Sequence, residues 1–137
     1  MATSPLASKL RMKSDLQVAL ITPPANYMKE ISPLPSGVKI SRELKGKYDW
    51  IQLFVKTKAE LDKLAPRAIR ALKPESVLWV SFPKGSSKIQ TDLTRDKGWE
   101  TLLAGDLKWI TLISVNDTWS AFGFRPYRSG EKRQSFR

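Results

Sequence analysis

The chain has 137 residues, of which 24 are lysine or arginine and 13 are aspartate or glutamate, so its formal net charge is +11. It contains no cysteine and no histidine, which excludes disulfides, thiolate metal sites and every catalytic mechanism built on these two side chains. The length fits one domain. We expect residues 1–127 to form this domain and residues 128–137 to form a basic, flexible tail.

The basic residues are concentrated near the ends of the chain. Residues 1–14 carry three basic side chains, and residues 125–137 carry five against one acidic, so the ends supply +7 of the net +11. No apolar run long enough for a secretory signal follows the N-terminal basic residues, and the longest apolar stretches are too short to span a bilayer. We therefore expect a cytoplasmic protein without a membrane partner.

Short apolar runs between turn residues predict strands in the first half of the chain. Residues 1–14 are expected to form a short helix or arm. Strands are predicted over 17–22, 38–44 and 48–57, with a short helix over 25–31 after the first of them. The run at 48–57 is apolar on both faces, which is typical of a central parallel strand covered by helices.

Apolar residues at helical spacing predict a helix over 58–73. Pro66 lies in its middle, and a proline there removes a hydrogen bond and clashes with the preceding turn, at a cost of roughly 3 kcal/mol. We therefore expect a kink at Pro66, or two short helices of which Pro66 opens the second.

The second half of the chain continues the alternation of strands and helices. Strands are predicted over 76–82, 107–115 and 119–127, and a helix is predicted from Thr91 or Asp92 to about Ala104. This order predicts a three-layer α/β fold with a mostly parallel sheet. The last two strands form an antiparallel C-terminal hairpin at the edge of that sheet.

Part of this pattern resembles the middle of class I methyltransferases, in which a strand with an aspartate near its start leads through a helix to a lysine–proline turn and a further strand. The resemblance covers about residues 38–127 and includes the terminal hairpin. It implies a Rossmann-like, methyltransferase-like fold. The segments that carry it are Tyr48-Asp49-Trp50-Ile51, Leu72-Lys73-Pro74 and Val77-Leu78-Trp79-Val80.

The chain is also similar over nearly its whole length to an uncharacterised bacterial family, domain of unknown function 3052. This resemblance implies a fold but no established activity. The segments that carry it are Pro5-Leu6-Ala7-Ser8-Lys9-Leu10, Leu34-Pro35-Ser36-Gly37-Val38, Thr91-Asp92-Leu93-Thr94 and Asp117-Thr118-Trp119-Ser120.

A nucleotide or S-adenosylmethionine would lie where the first strand meets its helix, because glycines at this junction let the backbone approach the ligand. The junction here is Thr22-Pro23-Pro24-Ala25-Asn26-Tyr27, which has no glycine. Two prolines remove two N–H donors, and the side chains of Ala25 and Asn26 would crowd a ligand. We therefore expect no cofactor, and no change in melting temperature with S-adenosylmethionine or NAD. Glu43, the only candidate acid for ribose hydroxyls, is expected to be a solvated surface residue.

The loop after the strand at 76–82 is the best remaining candidate for a ligand site, because ligands of open α/β sheets bind at the carboxyl ends of strands. Its hydroxyls, amines and free N–H groups could hold a phosphate or carboxylate. The favoured alternative is an exposed loop followed by an ordinary helix cap. The candidate anion-binding residues are Lys84, Gly85, Ser86, Ser87, Lys88, Thr91 and Thr94.

A second candidate pocket combines Asn26 with Asp117 and Trp119. The favoured alternative is a hairpin turn with Trp119 packed in the core. No pair of carboxylates has a spacing typical of acid–base catalysis, so no catalytic residue and no metal ligand is assigned.

These patterns favour a non-catalytic binding or interaction domain whose ligand is a small anion or an acidic partner. Two alternatives remain open. One is a divergent methyltransferase-like enzyme. The other is a nucleic-acid-associated protein that uses its basic ends, whose binding would weaken steeply with salt.

Overall fold

The computed structural model describes residues 3–85, 87, 91–93, 98–105 and 107–132. Its centre is one six-stranded sheet. The strands in chain order are β1 (Gln17–Ile21), β2 (Lys39–Ser41), β3 (Tyr48–Phe54), β4 (Leu72–Pro83), β5 (Leu107–Ser114) and β6 (Trp119–Pro126). Four helices accompany them: α1 (Pro5–Lys9), α2 (Tyr27–Ile31), α3 (Lys58–Arg70) and α4 (Glu100–Ala104).

The order of strands across the sheet is β2-β1-β3-β4-β6-β5. The pairs among β1 to β4 are parallel, whereas β6 pairs antiparallel with both β4 and β5. The predicted α/β fold, with a mostly parallel sheet and an antiparallel C-terminal hairpin, is therefore confirmed.

Alternation along the strands divides the core between the two faces of the sheet. On one face, Ile51 and Leu53 of β3 pack with Leu61 and Ala65 of α3. On the other face, Trp50 of β3 belongs to a second cluster with residues of α1 and α2. Strand β3 is buried on both faces, as predicted, and this burial explains its nearly unbroken apolar sequence.

The backbone carbonyl of Leu10 fixes the first segment to the centre of the sheet. It accepts hydrogen bonds from the indole nitrogens of both Trp50 and Trp79, each at 2.8 Å. All three residues are fully buried, and a buried indole N–H without an acceptor would be costly. The N-terminal segment is thus part of the folded body.

Some of the predicted elements differ from the structure, among them two helices and one strand. Helix α3 runs through Pro66 as one helix, so the alternative of two short helices is wrong. The helix predicted to begin at Thr91 or Asp92 begins instead at Glu100. The described residues before it, 91–93, 98 and 99, are not helical. Residues 94–97 lie outside the described part of the chain.

Strand β4 begins at Leu72, four residues before its predicted start. Its pairing with β3 is irregular near this end, where Tyr48 pairs with Leu72 but Trp50 pairs with Val77. The hydroxyl of Ser76 bridges the irregularity, since it accepts from the Lys73 N–H at 2.8 Å and donates to the Tyr48 carbonyl at 2.6 Å. A bulge of this kind has no clear signal in an apolar pattern.

Glu131 connects the predicted tail to the edge of the sheet. Its carboxylate pairs with Arg125 at 2.6 Å and with Lys108 at 2.8 Å, and it accepts from the Arg128 N–H at 2.9 Å. Residues 133–137 lie outside the described part of the chain. Among the described helices, none combines the length and the apolar content needed to cross a membrane.

The first prediction concerns Gly123, which pairs with Trp79 across β4 and β6. A Cβ at this position would lie 2.8 Å from Cζ3 of the Trp79 indole. We expect Gly123→Ala to lower the free energy of unfolding by about 1–3 kcal/mol, because the buried ring would have to move. A Cβ at Gly85 meets no atom within 4 Å, so Gly85→Ala should change it by less than about 0.5 kcal/mol. Urea unfolding measures both, and equal effects would contradict the steric explanation.

The second prediction concerns Glu131. The hydrogen bond from Arg125, then those from Arg128 and Lys108, hold the pKa of this carboxyl well below its usual 4.5. A lowered pKa stabilises the folded state above pH 4.5, and this contribution is lost progressively as the pH falls below that value. We therefore expect Glu131→Gln to lower the melting temperature near neutral pH, and the difference from wild type to narrow in acid. A difference equally large at about pH 3 and about pH 7 would contradict this assignment.

Candidate functional site

The strand order creates a crevice at one edge of the sheet. Strand β1 lies between β2 and β3 and is parallel to both. The chain leaves β1 through α2 toward β2 on one side and leaves β3 through α3 toward β4 on the other, so these two connections diverge. In open α/β sheets, ligands bind outside the carboxyl ends of the strands at such a switch point. The carboxyl ends of β1 and β3, at Ile21 and Phe54, are therefore the place to look for a site.

A cavity of about 620 Å³ opens at this position, within the range of small-molecule sites. Its wall combines the turn after β1, the end of β3, one side of α3 and the first residue of β6. The lining residues are Thr22, Pro23, Pro24, Phe54, Lys56, Glu60, Lys63, Leu64, Arg67 and Trp119.

The turn after β1 obtains its shape without glycine. Thr22 and Asn26 have φ values of 52° and 69°, in the left-handed region. This conformation is strained for a β-branched residue, and the hydroxyl of Thr22 donates a hydrogen bond to the Phe54 carbonyl at 2.7 Å. The bond joins the ends of β1 and β3 beside the cavity.

The expected crowding of this junction is not observed. Pro23 and Pro24 line the cavity and leave it open, and neither Ala25 nor Asn26 belongs to its wall. The two left-handed residues lie on either side of the prolines, and the expectation that no cofactor binds at this junction stays a prediction. The loss of two backbone N–H donors remains.

Aromatic side chains support the apolar wall. Phe54 and Trp119 meet edge to face with ring centroids 5.2 Å apart, and Tyr27 packs on the other side of Phe54 at 4.7 Å. The Tyr27 hydroxyl donates to Gln52 Oε1 at 2.8 Å, and burial raises its pKa. Because Tyr27 is only 1% exposed, it acts as a support for Phe54.

The polar wall consists of Lys56, Glu60, Lys63 and Arg67, all of which are exposed. Glu60 Oε1 accepts from the Lys56 N–H at 2.7 Å, next to the Thr57 hydroxyl that caps α3. Within the described ranges, none of the three cations forms an ion pair. Their charge is available to a ligand.

Two acids singled out from the sequence lie outside the cavity wall. Glu43 follows β2 and pairs with Lys45 at 2.8 Å, and the hydrogen bond from Lys45 lowers its pKa. Asp49 lies near the start of β3, where it accepts from the Gln17 N–H at 2.8 Å and pairs with Lys73 at 2.9 Å. Asp49 therefore connects strand starts at the edge of the sheet away from the cavity.

The described residues of the candidate anion-binding loop bind one another and their neighbours. The side-chain amine of Lys84 donates to Ser114 Oγ at 2.6 Å, and the backbone N–H of Lys84 donates to the Thr118 carbonyl at 2.8 Å. Ser87 Oγ donates to the Lys84 carbonyl at 2.8 Å, and Gly85 is exposed. The other members, Ser86, Lys88 and Thr94, lie outside the described residues.

Neither Thr91 nor Asp92 caps the helix predicted to follow them: Thr91 bonds within its own turn, and Asp92 caps α3. Thr91 Oγ1 accepts from the Leu93 N–H at 3.0 Å. Asp92 Oδ1 accepts from the N–H of Lys58, the first residue of α3, at 2.7 Å. An anion at this end of α3 is favourable because the helix dipole is positive there. An anion site in this loop stays a prediction.

Of the second candidate pocket, Trp119 lines the cavity, whereas Asn26 and Asp117 do not. Both are exposed. Asp117 lies in a turn that is closed by Asn116, whose Oδ1 accepts from the N–H groups of Thr118 and Trp119 at 2.9 Å each. Of the three predicted residues, only Trp119 is thus part of the described cavity wall, and a pocket formed by all three stays a prediction.

The sequence analysis missed Lys56, Lys63 and Arg67 as wall residues. The last two carried a usable signal, since they lie four residues apart on α3 and therefore share a face. Thr22 was named as part of the junction after the first strand, but its left-handed backbone had no signal, because threonine rarely adopts a positive φ. In the part of the chain that the structure describes, no three acidic side chains come together in a way that could hold a metal ion.

Comparisons with known proteins relate the chain to others by fold alone. No protein-family model matches the sequence, and no curated protein is similar to it. Membership in the family of domain of unknown function 3052 is therefore not confirmed.

Solved structures do match the fold. DhpI in complex with SAH superposes with a TM-score of 0.60 at 11% identity, covering 89% of this chain and 83% of that one. Ribosomal protein L11 methylase from Lactobacillus delbrueckii subsp. bulgaricus gives 0.60 at 12%, covering 89% and 77%. A SAM-dependent methyltransferase from Aquifex aeolicus gives 0.58 at 10%, covering 87% and 86%.

These similarities confirm the methyltransferase-like Rossmann fold. They contradict the expectation of a non-catalytic binding domain, because the matching structures are described as methyltransferases or as complexes with S-adenosyl ligands.

The third prediction tests the position of Asp92. We expect Asp92→Ala to lower the free energy of unfolding by about 1 kcal/mol, because α3 would lose an acceptor and a negative charge at its N-terminus. Asp117→Ala is the matched control, since this exposed carboxylate lies in a turn that Asn116 closes, and should change it by less than about 0.5 kcal/mol. Equal effects in urea unfolding would contradict a capping role.

Proposed function

We propose that this chain is a divergent methyltransferase-like enzyme and that the cavity at the carboxyl ends of β1 and β3 binds S-adenosylmethionine. The observation that carries the proposal is the position of the cavity. A space of about 620 Å³ lies at the switch point of the sheet, where open α/β folds bind their ligands.

The lining residues suit an adenosyl group. Pro24, Leu64 and the rings of Phe54 and Trp119 offer apolar surface for the base and the ribose, and aromatic rings favour stacked or edge contacts with other rings. Glu60 is the one carboxylate among the described wall residues and can accept hydrogen bonds from ribose hydroxyls.

The proline turn favours S-adenosylmethionine over a dinucleotide as the ligand. Pyrophosphate needs a cluster of backbone N–H groups at a helix N-terminus, and Pro23 and Pro24 cannot provide them. S-adenosylmethionine has no phosphate, so it does not need these donors. The expectation that NAD does not bind is therefore kept, whereas the expectation that S-adenosylmethionine does not bind is replaced by this proposal.

When bound, S-adenosylmethionine would supply an electrophilic methyl group. The part of this chain is to hold the reactants and exclude water. Phe54 and Trp119 form a dry wall, the Thr22 hydroxyl keeps the ends of β1 and β3 together, and Glu60 is fixed by the Lys56 N–H. Orientation of this kind lowers the entropic part of the barrier to group transfer.

Two finer assignments belong with this proposal. Membership in the family of domain of unknown function 3052 is supported by the sequence segments that resemble it. A cytoplasmic location is supported by the lack of cysteine in the sequence.

The fourth prediction tests the cavity as a cofactor site. We expect S-adenosylhomocysteine and S-adenosylmethionine at millimolar concentration to raise the melting temperature by several degrees, because a ligand that binds only the folded state stabilises it. NAD should cause no shift. Differential scanning fluorimetry measures all three.

A pair of tryptophan variants on α3 connects this shift to the cavity. Leu64→Trp would place an indole in the cavity wall and should abolish the shift. Ala59→Trp adds the same side chain at an exposed position outside the wall and should keep it. If neither adenosyl ligand shifts the wild type, or if Leu64→Trp responds like wild type, the proposal is wrong.

A further inference from the structure

Two of the cations in the cavity wall lie where their charges destabilise helix α3. Lys63 and Arg67 lie four residues apart on α3 and so present like charges on neighbouring positions. Like charges at this spacing destabilise a helix. Lys56 adds a third positive charge to the same wall. An arrangement of this kind has a physical rationale if an anion binds between the side chains.

The acids nearest to these cations are engaged elsewhere. Glu60 is three residues from Lys63, yet it accepts from the Lys56 N–H at 2.7 Å. Glu43, whose carboxylate is close enough to Arg67 to feel its charge, pairs with Lys45 at 2.8 Å. Among the described residues, none of the three cations has an ion-pair partner, so no acid of that part of the chain neutralises this wall.

The charge of the wall does not match S-adenosylmethionine alone. Among the described lining residues, three cations against the one carboxylate of Glu60 leave a net charge of +2. S-adenosylmethionine is itself a cation at neutral pH, since it has a sulfonium, an ammonium and a carboxylate group, so it adds to this positive charge. A second ligand that carries about two negative charges would offset the +2 of these lining residues. A phosphate monoester has this charge near pH 7.

We infer that Lys56, Lys63 and Arg67 bind the phosphate group of a small phosphorylated acceptor substrate. The inference rests on the proposed function, because it assigns the second ligand of the same cavity. A small molecule is favoured over a nucleic acid because the cations line a concave space of about 620 Å³, which is the size of a small-molecule site. Lysine and arginine together supply the charge and the hydrogen bonds that phosphate requires.

Phenyl phosphate is a suitable probe, since its ring matches the aromatic wall and its phosphate is dianionic at about pH 7.5. Isothermal titration calorimetry should detect binding to wild type. Arg67→Gln should raise the dissociation constant at least about tenfold, because a charge-assisted hydrogen bond is lost. Arg70→Gln removes the same charge one turn further along α3, outside the wall, and should change it less than about twofold. Lys63→Gln should behave like Arg67→Gln.

The outcomes separate this inference from the proposed function. If phenyl phosphate fails to bind wild type, or if Arg67→Gln and Arg70→Gln weaken it equally, the phosphate site is wrong. A single-stranded oligonucleotide that binds through Lys63 and Arg67 more tightly than phenyl phosphate would overturn the assignment to a small substrate. S-adenosylhomocysteine is titrated separately, and Arg67→Gln should retain its binding. Should it fail to bind wild type while phenyl phosphate binds through Arg67, the cofactor proposal falls and the phosphate site stands.

Discussion

The parallel pairing of β1 with β2 on one side and β3 on the other is the constraint on which the rest of the site depends. The turn after β1 leads through α2 to β2 on one side, and α3 leads from β3 to β4 on the other, so the two connections leave the same edge of the sheet in different directions. The space between them is the cavity. The hydroxyl of Thr22, bonded to the carbonyl of Phe54, holds its two sides at a fixed separation. The character of the site is then decided by which side chains the turn and α3 contribute.

Features that leave a local pattern could be predicted from the sequence, whereas features that depend on contacts between distant positions could not. Strand β3 was predictable because burial on both faces leaves a continuous apolar run. The start of the fourth helix was not, because Asp92 has the residue type of a cap but binds the N-terminus of α3, 34 positions earlier. Pro66 was expected to interrupt α3, but tertiary packing of the buried face around Ala65 and Ala68 outweighs the lost hydrogen bond.

The limit of prediction from local sequence patterns is clearer at the candidate site. A local rule, that paired prolines replace the glycines of a ligand-binding turn, predicted a closed junction. The structure achieves the turn with left-handed Thr22 and Asn26 on either side of the prolines, and the cost of this backbone at a threonine is invisible in the sequence. Trp119 comes from the far end of the chain to pack against Phe54. No spacing rule relates these residues, because they meet only through the strand order.

The carbonyl of Leu10 has a consequence for how the molecule reaches its native state. Its two indole donors follow it by 40 and 69 positions, so the first segment leaves the ribosome well before either donor does. A nascent chain cannot complete this three-residue junction until most of β4 has been synthesised. Contacts of such separation slow folding, since a long loop must close before they form. The helical start of the chain should therefore dock only after the strands that carry both indoles have formed.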